Sequence, residues 1–277
     1  MNKKVLITGV NGFLGRAVQK QMPSDWHIIK LLNPKTNLIN NDNAASIFYD
    51  VESLPIDELN RPKAVIHLAA RIPYDNDVPI DDIEYSNLIL VERLVKKYPN
   101  ARHILASSVS VYGELFILPL TIKSPLAATT HYGQTKFKAE KIVSECLSFT
   151  IIRYSSIVGP GMSSKTFIPN IVDASLKGEI KIFGDGSRLQ NYISIIDAAD
   201  MCINALNSKN NLIALGVGSR SYTNLEIANI LAIKTGAMIR HVEGRQGPSY
   251  IYKKDENDIL GLCKHSIEEV IDSMLKI

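Results

Sequence analysis

The chain has 277 residues, 45% of them hydrophobic and 21% charged, which is ordinary for a globular protein with a large core in one or two domains. Its 31 basic and 28 acidic residues leave a net charge of +3, too balanced to imply a nucleic-acid or membrane partner. No apolar run reaches the roughly 18 residues of a transmembrane helix, and the short apolar run behind the N-terminal lysines gives way to glycines, unlike a signal peptide. Three scattered cysteines (Cys146, Cys202 and Cys263) read as reduced thiols of a cytoplasmic protein. The six histidines lack metal-ligand spacing, so no metal is expected.

In chain order, "KVLITG", "HIIKLL", "AVIHLAA", "RHILASS" and "FTIIRYS" read as buried parallel strands. Helical segments at 13–22, 82–97 and 132–147 separate them. This alternation predicts βαβ units and an α/β fold, a doubly wound parallel sheet with helices on both faces. After Gly159-Pro160-Gly161 the texture changes to a helix ("FIPNIVDASLKG"), strands ("EIKIFGDG", "NYISI"), a helix at about 197–206 and another buried strand ("LIALGVG"). A helix capped by Thr223 and a last one around 266–275 follow. The expected division is a dinucleotide-binding domain over 1–160, with returning segments near 190–217, and a smaller substrate-binding lobe drawn mainly from 161–277.

The first strand runs into "TGVNGFLG", placing Gly9, Gly12 and Gly15 three apart between a strand and a helix. In that context the glycines permit a tight turn and close backbone approach to a pyrophosphate, and the helix N-terminus supplies N–H groups and a positive dipole end. This is the fingerprint of a Rossmann-type fold. About 20 residues on, an acidic residue would hold the ribose 2′-hydroxyl of NAD. Here Asn33 stands in that place with Lys35 after it. Nothing repels a 2′-phosphate, and Lys35 and Arg16 can attract one, which tips the balance to NADP(H) over NAD(H). The alternative is that Asn33 holds the 2′-hydroxyl of NAD and Lys35 is a solvated charge.

Further on, "HYGQTKFKAE" pairs Tyr132 with Lys136 at i and i+4, on one helical face. A nearby ammonium favours phenolate and lowers the tyrosine pKa from about 10, making Tyr132 a general acid or base. The run "HILASSVSVYG" brings Ser107, Ser108 and Ser110 to the C-terminal end of a sheet strand, where α/β ligands bind.

With "HLAA", "SSVSVYG", "RYSSIVGPG" and "GDGSRLQNYISIIDAAD" in one order, the chain resembles the extended short-chain dehydrogenase/reductase family, the NAD-dependent epimerase/dehydratase group that modifies nucleotide sugars. The resemblance runs from Lys3 to about Glu269. It implies that Gly9, Asn11, Gly12, Phe13, Leu14 and Gly15 cradle the pyrophosphate and that Asp50 and Val51 lie near the adenine. Leu68, Ala69 and Ala70 would line the cofactor channel with Asn87 behind it, and Tyr154 would also bind cofactor. Ser108, Tyr132 and Lys136 match the catalytic set, with Lys136 also reaching the nicotinamide ribose. Arg71, Ser110, Ser156, Arg188 and Arg245 fall to the substrate, a nucleoside-diphosphate sugar. Many relatives dimerise through two long helices, here those at 82–97 and 132–147, so a homodimer is expected.

Departures from the family pattern narrow the reaction. Related 4,6-dehydratases carry Asp-Glu after the catalytic hydroxyl; Val109-Ser110 stands here and neither can serve as acid or base, which disfavours that reaction. Gln190-Asn191 replaces the Arg-Asp of many relatives, and a neutral Gln190 cannot pair with a diphosphate as arginine does. Ser156 replaces an Asn and Ile122 a Glu, leaving nucleotide and sugar open. The short length and the 2′-phosphate-tolerant second strand favour a reductase of a 4-keto (6-deoxy)hexose. A 4-epimerase with tightly bound NAD is the alternative, and a non-catalytic dinucleotide-sensing subunit is a third class, disfavoured by the intact Tyr-x-x-x-Lys.

Overall fold

The five apolar runs each form a strand, and all five lie in one sheet. The computed structural model describes residues 3–33, 46–73, 78–114, 118–244, 246–254, 260–261 and 263–276. The first half contains β1 (Lys3–Thr8), α1 (Phe13–Gln21), β2 (Trp26–Leu31), β3 (Ser46–Phe48), β4 (Ala64–His67), α2 (Ile80–Glu84), α3 (Leu90–Lys97), β5 (Arg102–Ser108), α4 (His131–Ser144) and β6 (Phe149–Tyr154). A π-helical segment, Tyr85–Ile89, joins α2 to α3, and a 3-10 turn, Val109–Tyr112, follows β5. The second half contains β7 (Ser156–Val158), α5 (Phe167–Leu176), β8 (Glu179–Phe183), β9 (Leu189–Ser194), α6 (Ile195–Asn207), β10 (Leu212–Gly216), β11 (Ser221–Thr223), α7 (Asn224–Thr235), β12 (Met238–Val242) and α8 (Ile267–Leu275).

The main sheet has the order β10-β6-β5-β4-β1-β2-β3 and every pair in it is parallel. Strand order reverses between β1 and β4, the switch point at which open α/β sheets bind ligands. Alternation of side chains splits each strand between two cores. Val5, Ile7, Ile66, Ile104 and Ile152 pack with Val18 of α1 and Ala198 and Cys202 of α6. Leu6 and Val65 pack with Leu94 of α3, and Leu105 and Ile151 with Val143 of α4. Helices cover both faces, which is why these strands read as continuous apolar runs rather than alternating ones.

Beyond β7 a second core gathers Ile168 and Val172 of α5, Ile180 and Ile182 of β8, Ile227 and Leu231 of α7 and Ile271 of α8. Here β9 lies between β7 and antiparallel β11, while β8 pairs with β12. The "LIALGVG" strand, β10, crosses back to the edge of the main sheet beside β6. Thr223 caps α7 in a capping box with Glu226, and Ser266 does the same for α8 with Glu269. The sequence predicts one uninterrupted helix over 82–97; the structure inserts the π segment, whose fully buried Asn87 uses its carboxamide on a neighbouring backbone. No helix among the described residues is long and apolar enough to cross a membrane.

Candidate active site

The glycine turn sits at the switch point. Gly9 has φ +65°, a left-handed conformation that L side chains rarely adopt, and a Cβ there would stand 2.5 Å from the Ala69 nitrogen. The turn after β1 is therefore pressed against the segment after β4. Thr8 fastens the two, its Oγ1 accepting from the N–H groups of Leu68 (3.2 Å) and Ala69 (3.1 Å). A Cβ on Gly15 would meet the carbonyl oxygens of Gly9 and Val10, so α1 can start this close to β1 only with glycine there. Gly12 begins α1 with no side-chain cap, and the first turn, which includes Phe13 and Leu14, holds no acidic residue. N–H groups with no side-chain cap, at a positive dipole end whose first turn carries no acidic residue, fit a pyrophosphate. Asn11 completes the turn; its carbonyl accepts from the Arg16 guanidinium at 2.8 Å and its Nδ2 has no protein partner.

Leu68, Ala69, Ala70 and Arg71 follow β4 as a strap beside this turn. Asn87 holds it from behind: its Oδ1 accepts from the Arg71 N–H at 2.8 Å, and its Nδ2 donates to the Arg71 carbonyl (3.1 Å) and to Thr135 Oγ1 (3.3 Å). Thr135 lies on α4 and donates in turn to the Tyr132 carbonyl. One buried amide thus links the strap to the helix that carries the Tyr–Lys pair.

On α4, Tyr132 lies in the first turn and Lys136 one turn deeper, only 2% exposed. The Lys136 Nζ donates to the Ala106 carbonyl on β5 at 2.9 Å and stands 5.9 Å from the Tyr132 ring centre. Burial pulls the Lys136 ammonium down to about 8, against the opposing pull of the Glu140 carboxylate. Ser108 ends β5, and its Oγ accepts from both the N–H (3.2 Å) and the hydroxyl (2.9 Å) of Ser110 on the following 3-10 turn. Gly133 lets α4 abut that turn, since a Cβ there would stand 2.7 Å from the Ser110 carbonyl oxygen. Ser108, Ser110, Tyr132 and Lys136 are thereby gathered about the C-terminal end of β5 and the turn that follows it.

Asn33 is exposed just past β2, and Lys35 lies outside the described residues. After β3, Asp50 is exposed, 4.0 Å from the Arg93 guanidinium, while Val51 is buried. Tyr154 is a core residue: its hydroxyl donates to the Ala198 carbonyl on α6 at 2.7 Å and its side chain is 4% exposed. Ser156 begins β7 and is exposed. Arg188 donates from Nε to the Pro248 carbonyl, its guanidinium lying against Gly247. Arg245 lies outside the described residues. Asn191 is a buried staple, its amide bonded to Ser155, Gly218 and Arg220.

Several residues of this site give no warning in sequence. Glu140 and Arg153 form a buried pair behind Lys136. His67 and His103 share a 3.0 Å bond, and His103 Nε2 meets the Tyr98 carbonyl. Burial holds His67 well below its ordinary pKa, with the charges of His103 and Lys136 adding to the effect. Only the i, i+4 spacing of Lys136 and Glu140 could have marked one of these groups in advance.

The family model described as "NAD dependent epimerase/dehydratase family" matches residues 5–216. A Methanocaldococcus jannaschii protein provisionally named UDP-glucose 4-epimerase is 29% identical over 275 residues, 92% of this chain and 87% of that one. The Thermotoga maritima UDP-glucose 4-epimerase, solved with UDP-glucose, superposes with a TM-score of 0.84 at 22% identity, covering 99% of this chain and 97% of that one. MoeE5, solved with UDP-glucose and NAD, superposes with a TM-score of 0.82 at 20% identity over the same shares. At those identities the two solved structures share the fold.

Proposed function

The chain belongs to the NAD dependent epimerase/dehydratase family, and from that premise we propose that it is a nucleotide-sugar 4-epimerase that takes a UDP-hexose and keeps NAD bound. The carrying observation is the convergence of Ser108, Tyr132 and Lys136 beside a glycine turn that fits a pyrophosphate, with no carboxylate after Ser108. NAD, when bound, would supply the hydride acceptor and donor for the sugar C4. Ser108 accepts both of its bonds from Ser110, so its own hydrogen is left to hold the sugar O4. Tyr132 removes the O4 proton as hydride departs and gives it back when hydride returns. Lys136 favours the phenolate electrostatically and holds the cofactor ribose. Arg71, Ser110, Ser156, Arg188 and Arg245 are assigned to the substrate side.

The sequence leans to a 4-keto reductase on chain length and an NADP-tolerant second strand. That support thins: the Arg16 guanidinium is engaged by the Asn11 carbonyl and lies 3.7 Å from a Cβ position on Gly161. Two of the three relatives named above, those of Methanocaldococcus jannaschii and Thermotoga maritima, carry the name UDP-glucose 4-epimerase, the first of them provisionally. A dimer through the helices of α2–α3 and α4 belongs to the same reading.

The test is incubation of the purified protein with UDP-glucose and proton NMR of the anomeric region. UDP-galactose should appear without added NAD and without net NAD(P)H consumption. Tyr132→Phe should slow it about 10²–10⁴-fold with NAD still bound. Conversion only of 4-keto sugars, at the expense of NADPH, would return the assignment to the reductase.

A further inference from the structure

Arg153 and Glu140 are 3% and 4% exposed, and neither takes part in the chemistry above. The Arg153 Nη2 reaches Glu140 Oε2 at 2.8 Å, and Nε lies 3.1 and 3.2 Å from the two carboxylate oxygens. Ser107 donates to Glu140 Oε1 from the residue before Ser108. The Arg153 Nη1 donates to the Tyr112 hydroxyl at 2.9 Å, on the 3-10 turn that carries Ser110, and to the Ile122 carbonyl at 3.3 Å. Glu140 itself is one helical turn past Lys136 on α4. This cluster therefore touches the elements that present Ser108, Ser110, Tyr132 and Lys136, and it does so from below the site.

We propose that the Glu140–Arg153 pair is a positioning device for the catalytic set: it locks α4 to the end of β5 and holds one negative charge a turn from Lys136. Five charged or titratable groups make up the surroundings of Lys136. The Tyr132 ring centre is 5.9 Å from it, Glu140 on the same helix and His67 of β4 act on its charge, and behind these His103 of β5 is bonded to His67 and Arg153 of β6 to Glu140. His67 is held neutral by burial, and His103 is pushed down by burial too. Glu140 is the one carboxylate among the five, and its charge raises the Lys136 pKa while burial lowers it. Removing Glu140's charge must let Lys136 deprotonate at lower pH; an ordinary structural staple would change stability without moving that midpoint.

The pH at which activity is lost on the alkaline side rests on the epimerase reading, so the Lys136 titration is also followed directly. Heteronuclear NMR of lysine side chains in the full-length protein, with Lys136→Met to assign the signal, reads it without any turnover. In Glu140→Gln the Lys136 midpoint should fall by roughly one pH unit, and the alkaline limb of kcat/KM should fall with it. Should that variant not fold, the double variant E140Q/R153M removes both charges at once, which cores tolerate far better than one orphaned charge, and its midpoint should also fall. Ser107→Ala keeps the charge and should leave the midpoint in place. A Lys136 midpoint unmoved in folded Glu140→Gln, or in the folded double variant, overturns the proposal. A moved midpoint in a protein inactive on UDP-glucose sustains it and sinks only the substrate reading.

Discussion

At the scale of single residues, Lys136 is the most consequential group. A lysine ordinarily titrates near 10.4, and in the fold burial brings it to about 8. Between those values the unfolded chain binds more protons than the folded one, so this residue's contribution to stability improves as pH rises through that window. Near neutral pH the buried ammonium instead costs about 3 kcal/mol. Lys136→Met should therefore raise the stability of the cofactor-free protein by about 1–3 kcal/mol in urea melts at pH 7, less whatever the orphaned Ala106 carbonyl loses. The same variant should lose at least about 10²-fold in kcat. A more stable and inactive protein is the outcome expected of a group kept for chemistry at the expense of the fold. A variant that is less stable than the parent at pH 7 would mean that the ammonium is not the burden its burial implies.

At the scale of elements, what decides the site is how closely α4 approaches the turn after β5. Gly133 sits in that approach, with a Cβ position only 2.7 Å from the Ser110 carbonyl oxygen. Gly133→Ala puts a methyl into that contact and should displace Tyr132 relative to Ser108. Misplacement on the order of 1 Å costs about 10²-fold, so kcat should drop by 10- to 100-fold while melts move by only about 1–2 kcal/mol. A loss confined to KM would show that α4 had not moved. Much of this element-scale arrangement is legible in the sequence. The runs behind β1, β2, β4, β5 and β6 are predominantly apolar because both sheet faces are covered, and Thr223 signals its helix start through the capping box it forms. The glycine turn is legible because close approach demands residues without a Cβ. Other features leave no local trace. The three-residue edge strand β3 is too short to show a period. The π segment carries Asn87, whose amide is satisfied by the Arg71 backbone 16 residues away, a partner no local pattern announces. Arg153 reads as one more residue of an apolar strand until Glu140 is brought against it by tertiary packing.

At the scale of the whole molecule, the switch point between β1 and β4 puts the glycine turn, the strap after β4 and the end of β5 along one edge of the sheet, and the second core is built from the chain beyond it. The far side of α2–α3 is left unusual. Ile83, Asn87, Val91 and Leu94 turn inward, while Ile80, Tyr85 and Ile89 are exposed on the same continuous helix, at 62%, 45% and 40%. A helix apolar on two faces is typical of one buried on both sides. If this outward face packs against its own counterpart in a second copy, the contact is two-fold and self-complementary, and a like charge placed on it is met by the same charge across the axis. Tyr85→Asp and Ile89→Asp together should then convert a two-chain species into a single chain in sedimentation velocity at micromolar protein. The fold itself should survive, because both side chains point away from the core. Asn87, which holds the strap, lies between these two positions, so the monomer should also bind NAD more weakly than the parent by isothermal titration. A parent protein that already sediments as a single chain would remove the dimer. A monomeric variant with undiminished affinity for NAD would show that the strap needs no support from a second copy.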